Sequence, residues 1–384
     1  MDKRETMQQN GKKAILQNGF RGIVRAIMRS GKSRMIIISL NDFDFEKALW
    51  VTDKVELRDK DIPAELEKWG REGLSEKVTP ICWASLEGHK EKYDVIILDE
   101  CQKITPKNSS YFHIYKGDFP PILAMTGELS EDWEKKFLLE TFLSLERIFE
   151  YGRKEAVEDG VIAPYQINLV RSPLAHKRDV VVTHKKSQYH TSEYQRYAYL
   201  NEKINDARKD KKRNWEGRLR IMRQRFLHSL PSKVRIVKNL LSGELKDKRY
   251  LIFCPTKKIA DLICDEVYYS NCKKPENLDR FKAGEFDHLA VVDMVSTGVT
   301  LKNIDGVIIM GVGNNTNGDI SQKFFRSLVF REGYTAQNYI LVAKDTVEET
   351  DWLPKTMTSL FDGSSSDPVD MVEMEEENIR RLAE

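Results

Sequence analysis

Gly31-Lys32-Ser33 follows Ala26 at the spacing of a phosphate-binding loop, Ala/Gly-x-x-x-x-Gly-Lys-Ser/Thr, with Ala in place of the first glycine. Such a loop turns backbone N–H groups toward phosphate oxygens at a helix N-terminus, brings the lysine to the β- and γ-phosphates, and offers a hydroxyl to Mg²⁺. A plain loop capping a helix would accept the same tripeptide. Further along, KYDVIILDECQKI sets a run of Val, Ile and Leu against Asp99, Glu100 and Gln102. Adjacent acids at the carboxyl end of a strand divide two tasks: Asp99 holds Mg²⁺ through water, and Glu100 orients and deprotonates an attacking water. An aspartate there also serves as a helix N-cap. The loop and the acid pair reinforce each other, because both belong at the carboxyl ends of strands in one sheet, where open α/β folds bind ligands.

The elements that must position these residues follow an α/β pattern. MIIISL, KALWVT, VTPICWA, DVIILD and PILAMTG are short apolar runs alternating with helix-like stretches, the pattern of a parallel sheet. Between Glu134 and Asp159 the periodicity turns helical, and APYQINLVRS and DVVVTH then read as strands of a second unit. Residues 187–230 have few strand signals and many long charged side chains, which predicts a helical insertion. RYLIFC, HLAVVDM, GVIIMG and NYILVA resume the buried-strand pattern. The expected organisation is a first lobe over 1–155, a second over 156–345, and a polar linker with an acidic tail over 346–384.

A chain of 384 residues exceeds what one core usually serves. No apolar run approaches the roughly 20 residues that span a bilayer, and the polar start MDKRETMQQNGKK lacks a secretory signal, so a cytoplasmic setting is expected. Five cysteines without a CxxC pair and seven histidines without a cluster argue against a zinc site or a disulfide framework. The net charge of +2 hides an asymmetry: sixteen Lys/Arg face six Asp/Glu over 202–249, and eight acids face two arginines over 362–384. The basic block suits phosphate, and equally a solvated helix surface laced with i,i+4 pairs. The acidic end suits a disordered solubilising tail, or recruitment of a protein partner.

In their order along the chain, these segments resemble the motifs of superfamily 2 helicases and DNA translocases. MRSGKSR looks like motif I, KALWVTDKVELRDKDIPAELEKWG like motif Ia with its following helix, ICWASL like motif Ib, and DECQ like a DExH box with Gln102 in the histidine position. AMTGE resembles motif III, where Thr126 would link ATP state to DNA contact. YLIFCPTKKIADLI resembles motif IV, VVDMVSTGVTLKNIDGVII motif V, and ISQKFFRSLVFREG motif VI. EAVEDGVIAPYQINLV and LHSLPSKVRIVKNLL further resemble phage helicases and related repair and branch-migration translocases, although no separate N-terminal DNA-recognition domain is expected here.

The resemblance implies two tandem RecA-like parallel-sheet lobes, with the helical insertion in the second. It implies ATP and Mg²⁺ as cofactors, a nucleotide contacted by Ala26, Arg29, Ser30, Gly31, Lys32, Ser33, Arg34 and Gly298, and metal ligation by Ser33 and Asp99. Catalytic roles fall on Lys32, Asp99, Glu100, Gln102, Gln322 and Arg326. Motif VI departs from the family: Phe325 replaces its glycine, Val329 stands where a second arginine is expected, and Arg331 is the stand-in for that residue. Closure of two lobes on one nucleotide would drive strand movement. Nucleic-acid contacts implied by the motifs are Lys54, Arg58, Ser85, Thr256, Lys257, Ser296 and Thr297, whose hydroxyls equally suit caps and whose lysines equally suit solvent. Arg223, Arg225, Trp215 and Phe226 of the insertion would extend the track. The expected activity is an ATP-dependent helicase or translocase on duplex or branched DNA in replication, repair or recombination. An RNA helicase, a catalytically weak two-lobed scaffold and another phosphate-loop motor are the alternatives, and oligomeric state is not readable.

Overall fold

The structure is a computed structural model that describes residues 2–127, 132–184, 187–292, 301, 303–313, 323–324, 327–361 and 369–383. The chain divides into two compact units, Met1–Ile162 and Ala163–Glu384. The division falls later than the sequence pattern suggests, because the segment after Tyr151 folds back onto the first unit. Ala156 is fully buried there, Lys3 pairs with Asp159, and Arg4 donates to the Val161 carbonyl at 3.0 Å. No helix among the described residues is long and apolar enough to cross a membrane.

The first unit holds a six-stranded, all-parallel sheet in the order β3-β2-β4-β5-β1-β6. Its strands are β1 (Gly22–Ala26), β2 (Ala48–Thr52), β3 (Val78–Cys82), β4 (Val95–Asp99), β5 (Ile122–Thr126) and β6 (Arg147–Tyr151). Val95, Ile96, Ile97 and Leu98 are all fully buried, as a central strand covered on both faces requires. Each such aliphatic side chain contributes roughly 1.5–3 kcal/mol of burial. The run MIIISL, which sits among the buried-strand runs and, following GIV, suits helix or strand, forms a helix, α2 (Lys32–Leu40). It packs between α1 (Lys3–Gln17) and α3 (Ile62–Trp69), with Met35, Ile36, Ile37 and Leu40 fully buried. A helix buried on nearly every side loses its polar face, so its sequence cannot be told from a buried strand. A departure is β6, which lies inside the stretch expected to be helical. As an edge strand it is mostly half-exposed, which blurs the alternation that would mark it.

The second unit carries a seven-stranded, all-parallel sheet in the order β11-β12-β10-β13-β14-β7-β15. These are β7 (Tyr165–Ser172), β10 (Tyr250–Phe253), β11 (Val267–Tyr268), β12 (His288–Val291), β13 (Gly306–Ile309), β14 (Ala336–Ala343) and β15 (Val369–Glu373). An antiparallel hairpin, β8 (Val180–His184) with β9 (Ser187–Thr191), stands apart from that sheet. The expected insertion is this hairpin's second strand followed by two helices, α4 (Glu193–Lys209) and α5 (Arg213–His228). Ser192 and Gln195 form a capping box at the start of α4. Leu200, Ile204, Ala207 and Leu219 make a small core of their own, with Phe226 against it.

Within the expected tail, residues 369–383 form a strand and a helix, while 362–368 of the expected linker lie outside the described residues. β15 pairs with β7 from Val369↔Tyr165 to Glu373↔Leu169. Helix α8 (Glu376–Ala383) then packs on α6 (Pro231–Ser242), burying Ile379. Arg235 and Asn239 of α6 donate to its last carbonyls at 2.6 and 2.8 Å. An acidic composition masked one short strand and one helix whose single apolar stripe suffices to dock it. The helix between α6 and α8 that matters for the site is α7 (Lys257–Ile263).

Candidate functional site

The expected phosphate loop runs from the end of β1 into α2. Gly31 caps the helix with φ 89°, and a Cβ at this position would lie 2.1 Å from Gln8 Nε2. Two reasons therefore demand glycine, the left-handed backbone and the close approach. Arg29 also lies in the left-handed region, at φ 67°. For a non-glycine residue this is a strained conformation of the kind that collects at functional sites. The loop is braced from α1: Gln8 Nε2 donates to the Ser30 carbonyl at 2.9 Å. Gln8 Oε1 accepts from Arg34 at 2.7 Å, and Arg34 reaches Glu5 at 3.3 Å while lying 4.3 Å over the Trp69 ring. Ser30 is fully buried, and its Oγ has no hydrogen-bond partner among the described residues. Lys32 Nζ curls over the loop and donates to the Ala26 carbonyl at 3.3 Å.

Register brings the second part of the site alongside. β1 and β4 both pair with β5, with Arg25 opposite Thr126 and Asp99 opposite Met125. The carboxyl ends of three adjacent strands thus present Ala26, Thr126 and Asp99 on one edge. Trp83 Nε1 donates to the Asp99 carbonyl at 2.8 Å and fixes the strand end. Glu100 sits at φ 51°, again left-handed, and its backbone N–H donates to Asp99 Oδ1 at 3.0 Å. Burial, and then the Glu100 charge, push the Asp99 carboxyl up to about 7, while the Lys32 charge pulls it down. Cys101 is fully buried, and burial raises its thiol well above the ordinary range. It is a spacer, not a nucleophile.

Gln102 ties the acids to β5. Its Nε2 donates to Glu100 Oε2 at 2.7 Å, and its Oε1 accepts from Thr126 Oγ1 at 2.7 Å. Gln102 is 7% exposed and Thr126 fully buried. A carboxylate only accepts, so the amide has one workable orientation, NH₂ toward Glu100 and C=O toward the threonine hydroxyl. The three side chains form one directed chain of hydrogen bonds.

Three solved structures share this architecture. The DNA-bound ATP-dependent Type ISP restriction-modification enzyme LlaBIII aligns with a TM-score of 0.59 at 12% identity, covering 100% of this chain and 32% of that one. A variant of Saccharomyces cerevisiae Dbp5 bound to RNA and ADP BeF3 aligns with 0.56 at 11% identity, covering 99% and 93%. The Pyrococcus furiosus Hef helicase domain aligns with 0.51 at 13% identity, covering 91% and 96%. The fold is that of tandem RecA-like helicase lobes. Residues 232–327 match the helicase conserved C-terminal domain. No curated protein matches the sequence. The chain spans about a third of the length of LlaBIII.

In the RecA-like second lobe the expected residues are dispersed. Thr256 caps α7, accepting from Ile259 N at 3.3 Å. Lys257 donates to the Ser270 carbonyl at 2.6 Å and lies over Tyr269. Arg331 bonds the Ile304 carbonyl at 2.7 Å and Asp305 at 3.1 Å, and its guanidinium stacks 3.6 Å over Tyr334. Asp305 immediately precedes β13, so this clamp grips the amino end of the strand, not the carboxyl edge where ligands gather in such sheets. Arg331, the expected stand-in finger, is thus held at that amino end. Ser296, Thr297, Gly298, Gln322 and Arg326 lie outside the described residues. In the first lobe, Ser85 is exposed on its short helix and Lys54 is half-buried, while Arg58 is held by Asp59 at 2.5 Å.

Gln8 is the residue that sequence reasoning passed over. A glutamine in MQQNGKK looks like one more polar residue of a polar helix. The available signal is its partner Gly11 on the same buried face, where a Cβ would meet Met35 Sδ at 2.3 Å. Among the described residues no group of three His, Cys, Asp or Glu side chains could hold a metal ion.

Proposed function

We propose that the chain is an ATP-dependent nucleic-acid motor of the helicase type, a hydrolase whose turnover is raised by nucleic acid. The observation that carries this reading is the chain Glu100–Gln102–Thr126, which links the acid pair to the strand end beside the phosphate loop. A phosphate-binding loop alone would fit any nucleotide-binding protein; a relay leading away from the attacking-water position fits a motor.

In this reading the N–H groups at the start of α2 and Lys32 hold the β- and γ-phosphates, with Ala26, Arg29, Ser30, Gly31 and Arg34 shaping the cradle. The hydroxyl of Ser33 and the carboxylate of Asp99 make an all-oxygen donor set suited to Mg²⁺, and a carboxyl pushed up by burial and a neighbouring charge is one that a cation relieves. Bound there, Mg²⁺ would supply charge neutralisation on the phosphate oxygens. Glu100 orients the attacking water and takes its proton. Arg326 is proposed as the arginine that stabilises transition-state charge, with Gln322 and Gly298 as further nucleotide contacts. Lys54, Arg58, Ser85, Thr256, Lys257, Ser296 and Thr297 are proposed to hold nucleic acid, mainly through phosphates. Thr256 would do so in addition to capping α7, and Arg58 after leaving Asp59.

DNA, duplex or branched, is the proposed substrate, and the cytoplasm the proposed location. Turnover is measured with forked DNA, blunt duplex, single strands and RNA. Hydrolysis should rise with DNA and disappear in Lys32→Ala and Glu100→Gln. Turnover that ignores nucleic acid, or a wild-type protein without turnover, would overturn the reading in favour of a two-lobed binding scaffold. A larger rise with RNA would reassign the substrate.

A further inference from the structure

Helix α5 has an outward face that neither the fold nor the nucleotide site uses. Leu219 and Phe226 point to α4, and Arg223 bonds Asn201 of that helix at 2.6 Å. The only acid in α5, Glu216, is held by Arg208 at 3.3 Å and Arg220 at 2.6 Å. What remains outward is Trp215, Arg218, Met222 and Arg225, at i, i+3, i+7 and i+10, with Ile221 beside them. Trp215, Ile221 and Met222 are 48%, 51% and 43% exposed, and Arg218 and Arg225 are exposed as well. The stripe is about 15 Å long at the helical rise. At its start, Lys209, Lys211 and Arg213 crowd the exposed turn between the two helices.

We propose that this stripe is a binding face for single-stranded nucleic acid, with Arg218 and Arg225 on phosphates and Trp215 stacked on an unpaired base. All five cations of α5 are arginine and none is lysine. The guanidinium suits phosphate and base faces alike, by paired hydrogen bonds and by stacking. A duplex would engage the arginines and leave Trp215, Ile221 and Met222 in water, because its bases are already stacked. An unpaired strand engages both kinds of side chain. The acidic helix α8 is engaged elsewhere, since it packs on α6 and its Glu376 is held by Lys344 and Arg380. Of the four insertion residues singled out from sequence, Arg225 and Trp215 belong to the stripe, while Arg223 and Phe226 turn inward.

The inference takes its partner class from the proposed function, and a binding assay on the full chain judges it separately. Anisotropy of a fluorescein-labelled twenty-nucleotide oligo-dT is followed across a salt series, beside a blunt duplex and a poly-glutamate competitor. Trp215→Ala should weaken oligo-dT binding by roughly tenfold with duplex binding unchanged, and Trp215→Phe should restore it. Arg218→Gln with Arg225→Gln should lower the salt slope by about 1.4, two phosphates at ~0.7 each. Unchanged oligo-dT binding in both variants overturns the proposal. Equal losses on duplex assign the face to duplex instead, and poly-glutamate competing as well as oligo-dT assigns it to an acidic protein. Absent ATP turnover in the wild type would remove the motor reading and leave this binding result standing.

Discussion

Gln102 shows how one side chain joins two parts of a site. Its amide is used at both ends, by a carboxylate and by a hydroxyl, so truncation leaves Glu100 freer to move and the Thr126 hydroxyl buried without this acceptor. That chain runs from Glu100 to β5, while Lys32 bonds the Ala26 carbonyl. Gln102→Ala is therefore expected to keep the affinity for a fluorescent ATP analogue within roughly twofold, and to flatten the rise of turnover with DNA. Parallel loss of nucleotide affinity would refute the relay. The placement of the Lys32 loop after β1 and of Asp99 and Glu100 at the end of β4 was legible in the sequence, because an apolar run that stops at a glycine turn or at two acids marks a strand end. Gln8 was not, because a brace needs only a hydrogen-bonding side chain at a distance that the fold decides. Arg331, expected as the stand-in for a second arginine, is held at the amino end of β13 by Asp305 and the Ile304 carbonyl, a placement that the fold decides and the motif spacing does not.

At the scale of elements, the second lobe keeps the ends of β13 and β14 in place with a buried ion pair. Lys233 of α6 and Glu348 are both fully buried and 2.6 Å apart. Glu348 also accepts from Val312 N at 3.2 Å, just past β13, and from Ala343 N at 2.7 Å, the last residue of β14. His228, at the end of α5, meets the Val312 carbonyl at 2.8 Å. A carbonyl only accepts, so the ring donates from Nε2, and burial pushes this imidazole below its ordinary value. Removing one partner strands a charge, which costs about 3–5 kcal/mol. Lys233→Met should lose that much in urea unfolding. Adding Glu348→Gln, which removes the stranded charge and keeps an acceptor for one of the two N–H groups, should return about 1 kcal/mol or more. A double variant no more stable than the single one would show that Glu348 serves the backbone and not the lysine. The parallel strands were legible because burial on both faces writes an unbroken apolar run. MIIISL, RIFEY and VDMVE were not, the first because a wholly buried helix writes the same run, the others because edge strands write almost none.

At the scale of the molecule, each unit has its own parallel sheet and its own core, and the last elements of the chain complete the second. β15 closes the edge of β7 over five paired positions, and α8 covers α6 with Ile379 at its centre. Truncation after residue 368 would leave the inner edge strand β7 unpaired and uncover apolar surface on α6. The burial of Ile379 alone is worth roughly 1.5–3 kcal/mol, before any strand hydrogen bond is counted. The truncated protein should therefore unfold its second unit at lower temperature in calorimetry, separating a transition from that of the first. Binding of a fluorescent ATP analogue to Lys32 and its loop should survive at temperatures where the first unit remains folded. A truncated protein with the full-length melting profile would mean that the tail is an accessory, and that the acidic composition read from the sequence was the better guide. The sheet register argues otherwise, because a strand paired in parallel over five positions of β7 cannot be removed without exposing the N–H and C=O groups it satisfied.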